Sequence, residues 1–93
     1  MRTLTAQMSS TGRAWRLYVV LYGVPDWPTF RWERTGPVPT GAERRRALAA
    51  LGYEVAPGAV WSWTEDSRSL DDDNTPVVLI AAVTVRSRKA VTA

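Results

Sequence analysis

The stretch Val77-Val78-Leu79-Ile80-Ala81-Ala82-Val83-Thr84-Val85-Arg86, opened by Pro76, constrains the fold of this chain more than any other. Six of these ten residues are β-branched, as strands favour. Successive side chains of a strand point to opposite faces, and here both sets are apolar at the centre. Leu79, Ala81 and Val83 share one face, and Val78, Ile80 and Ala82 share the other. A strand of this kind is normally covered on both sides, so the rest of the chain has two faces to account for.

Residues 3–8 alternate, with Leu4, Ala6 and Met8 on one side and Thr3, Thr5 and Gln7 on the other, which predicts a half-buried strand. Ser9-Ser10-Thr11-Gly12 suits a four-residue hairpin loop, and residues 13–22 form the returning strand. That loop pairs Met8 with Arg13, Ala6 with Trp15 and Leu4 with Leu17, so the apolar sets land on one face. The two prolines of Gly23-Val24-Pro25-Asp26-Trp27-Pro28 exclude a central strand there. Residues 29–34 read as a third strand. Pairing Tyr22 with Thr29 sets Leu21 opposite Phe30 and Val19 opposite Trp32, and the parity holds again.

After Gly36-Pro37-Val38-Pro39, Thr40 and Glu43 have the spacing of a capping box. Arg44 to Leu51 is rich in helix formers, and Gly52 suits the residue just past a helix. Ala47, Leu48 and Leu51 form the apolar stripe of a helix too short to stand alone. Residues 53–59 carry a Pro57-Gly58 turn signal. Val60 to Glu65 reads as a fourth strand with Trp61 and Trp63 in the core, followed by an acidic loop over 66–75, the strand described above, and a frayed tail over 87–93. The layout is β-β-β-α-β-β. The expected class is α+β, an antiparallel sheet of about five strands with one helix packed on one face, in a single domain over 1–93. One helix cannot cover both faces of such a sheet if it is flat. Either the sheet curls on itself or its second face meets another chain.

Composition excludes several functions. The 93 residues are 45% hydrophobic and 23% charged, as in an ordinary globular domain. With no Cys and no His, the usual ligands of zinc, copper and iron–sulfur sites are missing, as are Ser–His and Cys–His nucleophile pairs. No cofactor is expected. The absence of disulfides favours a reducing compartment. The first eight residues lack the apolar core of a signal peptide, and the apolar run 77–83 is far short of the roughly 20 residues that span a bilayer. A cytoplasmic protein with no membrane association is expected. Net charge is +3, but it is segregated: residues 1–48 carry +5, residues 49–85 carry −5, and Arg86, Arg88 and Lys89 add +3. Eleven of the twelve basic residues are Arg, which fits either bidentate and stacking contacts or the codon bias of a GC-rich genome.

Four features remain as candidate chemistry. Asp71-Asp72-Asp73-Asn74 offers oxygen ligands, but the acids are contiguous, without the alternate spacing and turn glycine of a calcium loop. It reads as a solvated loop, and no metal is expected. Arg44-Arg45-Arg46 fans around the helix and reads as a solvated exterior with Glu43 as local counter-charge, or as an anion site. Arg16, Tyr18, Tyr22 and Arg31 fall on the sheet face away from Trp15 and Trp32. That face could stack and pair a single-stranded nucleic acid, or it is an ordinary half-wet face with Tyr18 opposite Glu33. Trp27, in its proline-flanked loop, either folds back as a lid over the core or anchors a partner. The remaining carboxylates form no recognisable catalytic motif, so no enzyme is expected.

Trp15 to Leu21, Arg34 to Thr40, Arg46 to Tyr53 and Pro76 to Ala82 together resemble a family of small uncharacterised actinobacterial proteins. The resemblance covers nearly the whole chain. It implies a stand-alone domain and a bacterial cytoplasm, and it carries no activity and no site residue. The expected role is a non-enzymatic protein-interaction module that binds a protein partner or a second copy of itself. The alternative is nucleic-acid binding through the basic and aromatic sheet face. The candidate binding residues are Trp27, Arg16, Tyr18, Arg31 and Ile80.

Overall fold

The computed structural model describes residues 2–10, 13–34, 36–67 and 77–88. Among them lie β1 (Thr3–Ser10), β2 (Trp15–Val20), β3 (Thr29–Trp32), α1 (Gly41–Leu51), β4 (Tyr53–Val55), β5 (Ser62–Ser67) and β6 (Val77–Ser87). Every strand pair is antiparallel, which establishes the α+β class. The sheet order is β3-β2-β1-β6-β4, with β5 also on β6. β6 therefore has β1 along one flank, and on the other flank β5 for residues 77–82 and β4 for residues 85–87. Between those two partners the Ala56 N–H donates to the Thr84 carbonyl at 3.0 Å.

The sheet curls into a half-barrel, one of the two arrangements open to the sequence. The helix packs against β4 at one edge and against β3 and β2 at the other. A single helix can serve this sheet because curling gives it one concave face to fill. Met8, Leu17, Val19, Leu48 and Val85 are completely buried there. Each such side chain contributes roughly 1.5–3 kcal/mol by leaving water. The two faces of β6 have different fates. Ala81, Val83 and Val85 are buried in the concavity, whereas Ile80 and Ala82 are half-buried on the convex side and Thr84 is exposed.

The hairpin registers differ from those expected. Met8 pairs with Leu17 and Ala6 with Val19, and Trp15 pairs with Trp32 and Leu17 with Phe30. Each partner has moved by four residues. Ser9 and Ser10 continue β1, and buried Ala14 lies in the turn before β2. At the far end of β2, Gly23 turns the chain with φ +79°, leaving Tyr22 outside the sheet and 88% exposed. An even shift leaves every side chain on its face, so Trp15 is still in the core. The third strand ends at Trp32, short of the expected Arg34.

Two further differences concern the second half. β4 occupies residues read as part of a turn region, and it forms because the chain emerging from Gly52 meets the C-terminal end of β6. Pro57-Gly58 does make a turn. The Ala59 N–H donates to the Ala56 carbonyl, and Gly58 has φ +77°, the pattern of a type II turn. Trp61 packs against the core, but Trp63 does not join it and is 42% exposed. Trp63 is on the concave side, opposite Ala81, yet on the part of the β5–β6 ribbon that the helix does not reach. Of the expected frayed tail, Ser87 closes β6 and the Arg88 N–H donates to the Gly52 carbonyl. Residues 89–93, Gly12 and the Asp71–Asp73 run lie outside the described residues.

The helix start is fixed as the capping box predicts. The Thr40 hydroxyl accepts from the Glu43 N–H at 3.1 Å, and the Thr40 N–H donates to Glu43 Oε1 at 3.0 Å. Glu43 is not the counter-charge of the helix arginines. Its carboxylate accepts from the two terminal Arg34 nitrogens, at 3.0 and 2.8 Å, which ties the end of β3 to the helix. These bonds, led by Arg34, hold the Glu43 carboxyl down from an ordinary 4.5 to about 2. A carboxyl with a depressed folded-state value stabilises the fold fully above its unfolded value and progressively less as pH falls toward the folded one. Urea midpoints should therefore decline as pH drops from 4.5 toward 2, and Glu43→Gln should flatten that decline. Leu48→Ala should cost about 2–5 kcal/mol by leaving a cavity, whereas Val60→Ala, at a position 80% exposed, should stay within about 0.5 kcal/mol; chemical denaturation measures both.

Candidate functional site on the convex face

Strand registers carry two rows of side chains across the convex face. One runs Arg31, Arg16, Ser9, Ile80, Thr64, and the next runs Thr29, Tyr18, Gln7, Ala82, Ser62. Four of the five candidate residues belong to these rows. The fifth, Trp27, is brought to them by its loop. Its Nε1–H donates to the carbonyls of Leu21 at 2.8 Å and Val24 at 3.1 Å, and its own carbonyl accepts from the Thr29 hydroxyl at 3.0 Å. So held, the indole stacks on Tyr18, with ring centroids 5.9 Å apart and planes 25° apart. Trp27 is thus a lid, but over the convex face rather than over the core, and it remains 41% exposed.

Arg16, Tyr18 and Trp27, with Ser9, Pro25 and Thr29, line a groove of about 320 Å³, whereas Arg31 and Ile80 share the face but not the groove. The Tyr18 hydroxyl donates to Gln7 Oε1 at 3.0 Å. Tyr18 stands opposite Thr29, not opposite Glu33 as the sequence register required. Glu33 instead takes Arg31, at 2.8 Å. On the same sheet Arg86 meets Glu54 at 3.3 Å. Arg16 has no ion-pair partner among the described residues, and it stands directly across from Arg31. Like charges in that position repel, so Arg16 leans on solvent or on a ligand. Among the described residues the face is therefore aromatic and hydroxyl-rich, with Arg16 uncompensated, and across β1 it continues into the half-buried Ala82 and Ile80 of β6.

Sequence parity located Arg16, Tyr18, Arg31 and Ile80. It missed Ser9, Gln7 and Thr29, whose convex-face positions follow from the same alternation, and Pro25, which gave no signal. Tyr22 is not part of the groove. The helix arginines separate. Arg44 lies 4.8 Å from the Trp61 ring centre and donates to the Thr40 carbonyl at 3.3 Å, and burial lowers its pKa. Arg45 and Arg46 are exposed.

The model of a family of unknown function, DUF6303, matches residues 2–93. The chain belongs to the DUF6303 family. The match confirms the resemblance to a family of unknown function, over nearly the whole of this chain. No curated protein and no solved structure matches the chain. Among the described residues of this DUF6303 protein, no helix is long and apolar enough to cross a membrane.

The groove depends on the two bonds from the Trp27 indole. At about 0.5–1.5 kcal/mol each, their loss in Trp27→Ala should speed exchange of the Val19 amide, which is bonded to the Pro28 carbonyl. The expected factor is on the order of ten, with the Ala6 and Val83 amides unchanged. Hydrogen exchange followed by NMR reads all three.

Proposed function

We propose that this DUF6303 protein is a non-catalytic interaction module of the bacterial cytoplasm that binds a protein partner with the convex face of its sheet. The observation carrying this reading is the convergence of Trp27, Tyr18, Arg16, Arg31 and Ile80 on that one face. Trp, Tyr and Arg dominate the energetics of protein interfaces. Here the indole is preset by two hydrogen bonds, so little side-chain entropy is lost when a partner covers it. The half-buried Ile80 and Ala82 add apolar area on β6, across β1 from Tyr18, and the surrounding hydroxyls suit a polar rim.

Single-stranded nucleic acid is the second reading, favoured by the exposed indole beside the unpaired Arg16. Bases stack on such rings, and phosphates would relieve the Arg16–Arg31 repulsion. It ranks second because Glu33 and Glu54 already occupy Arg31 and Arg86, leaving little positive charge for a phosphate track.

Affinity capture with the immobilised protein tests the first reading. A specific partner should be retained by the parent and by Val60→Ala, and lost with Trp27→Ala and with Arg16→Ala. Truncating a hot-spot residue costs about 2 kcal/mol or more, some thirtyfold in affinity. A set of captured proteins indifferent to both convex-face variants would overturn it. Titration with a labelled thymidine oligomer at two salt concentrations separates the second reading. Binding that weakens steeply with salt marks phosphate contacts, and no binding removes that reading.

A further inference from the structure

A second concave surface lies away from the convex face. Between α1 and β4 a groove of about 560 Å³ is lined by Leu48, Ala49 and Val55, together with Arg45, Arg46 and Arg88. The three arginines form no ion pair among the described residues. The acids of the two elements are already engaged. Glu43 holds Arg34 at 2.8 Å, and Glu54, which also lines the groove, holds Arg86 at 3.3 Å. The groove is thus apolar within and cationic around.

The groove also runs along an open edge of the sheet, since β4 ends the strand order β3-β2-β1-β6-β4. The Arg88 N–H donates to the Gly52 carbonyl at 2.9 Å, and the Ala56 N–H to the Thr84 carbonyl at 3.0 Å. In an antiparallel pair, bonded positions recur at every second residue, so Glu54, opposite Arg86, is the bonded position between these two. The N–H and C=O groups of Tyr53 and Val55 therefore point away from β6, to the open side. They have no backbone partner among the described residues. Tyr53 and Val55 lie on the concave side, Val55 opposite buried Val85, and Glu54 lies on the convex side. A groove that touches both sets follows the edge itself.

We infer that this edge takes up an acidic, extended peptide segment of a partner protein as a further strand beside β4. In such an addition main-chain hydrogen bonds give affinity, and pockets for alternate side chains give specificity. The outward groups of β4 are donors and acceptors in turn, and an extended peptide satisfies both. Phosphate oxygens only accept, so a nucleic-acid backbone would leave the carbonyls of Tyr53 and Val55 unmet. Carboxylates on the segment answer Arg45, Arg46 and Arg88, and its apolar side chains cover Leu48, Ala49 and Val55. Arginine suits carboxylates because its planar fork donates to both oxygens at once. The same edge of a second copy is disfavoured, since it would bring arginines against arginines. The site is separate from the convex face, so the two readings stand or fall independently.

NMR titration of the isotope-labelled full chain with a synthetic peptide that alternates Glu and Val tests the inference. Saturable shifts should gather on the amides of Ala42 to Val55 and of Arg88. In the saturated complex the Tyr53 and Val55 amides should exchange with solvent more slowly than in the free protein, because the added strand bonds them. Two further versions of the peptide carry N-methyl groups on the Glu or on the Val nitrogens. The version whose methyl groups face β4 should bind about tenfold more weakly, and the other should bind as the unmodified peptide does. The double variant Arg45→Glu with Arg46→Glu should weaken the Glu–Val peptide by about tenfold and gain binding of a Lys–Val peptide, which the parent should refuse. Val60→Ala should behave as the parent, and circular dichroism checks that each variant retains its fold. Absence of saturable shifts along β4 overturns the inference. Full-strength binding of both N-methylated versions also overturns it, marking ion pairing without an added strand. A thymidine oligomer that shifts the same amides as strongly would overturn it too, marking a phosphate site.

Discussion

Eleven residues of helix have to cover the inner face of a six-stranded sheet, and that shortage of cover governs the rest of the molecule. A flat sheet would leave most of one face to water. Curling brings β3 and β4 to opposite sides of the same helix, so Leu48 touches a core assembled from nearly every strand. The right-handed twist that strands adopt anyway supplies much of the curvature. The Arg34–Glu43 clamp then fixes where the helix begins relative to the end of β3. One carboxylate thereby caps the helix and tethers it to the sheet edge.

The same curvature decides what the surface can do. A concave side filled with Met8, Leu17, Val19 and Val85 leaves chemistry to the convex side and the ends. On the convex side, β2 contributes Arg16 and Tyr18 at alternate positions, and the loop after it returns Trp27 to the ring it has just passed. The stack is local in sequence, within nine positions, and it survives because the indole N–H has carbonyls to bond rather than because it is buried.

Faces were legible in the sequence and pairings were not. Alternation fixes the side of a sheet on which Trp15, Arg16, Tyr18 or Ile80 lies, and a shift of an even number of residues changes none of those assignments. That is why both hairpins could be displaced while the core and the convex-face residues came out on the expected sides. The displacement itself depends on where the turns close, and a serine pair such as Ser9-Ser10 serves a strand as readily as a loop. The capping box was legible because its two hydrogen bonds fall within four residues. Arg34 was not recognised as Glu43's partner, because nothing local joins them across Gly36-Pro37-Val38-Pro39. Trp63 exposes a further limit: alternation gives the face, but whether anything covers that part of the face is set by the reach of the helix. Three-residue β4 carries too little pattern to be seen before its neighbour on β6 is known.

The divided flank of β6 has a consequence for how this fold can vary. Residues 80–86 pair with β1 and belong to the half-barrel, buried Ala81 among them, whereas residues 77–79 have a described partner in β5 alone, in a ribbon that extends past the helix. The outer part of the ribbon, beyond Ile80, is therefore an appendage on a finished core, and its length is adjustable. Adding two residues to each of its strands would carry its tip about 7 Å farther out and leave every side chain on its face. Adding one to each would turn the distal part inside out. Across relatives of this fold, ribbon length should accordingly vary in steps of two residues per strand, while the spacing from Thr40 to Val55 holds constant.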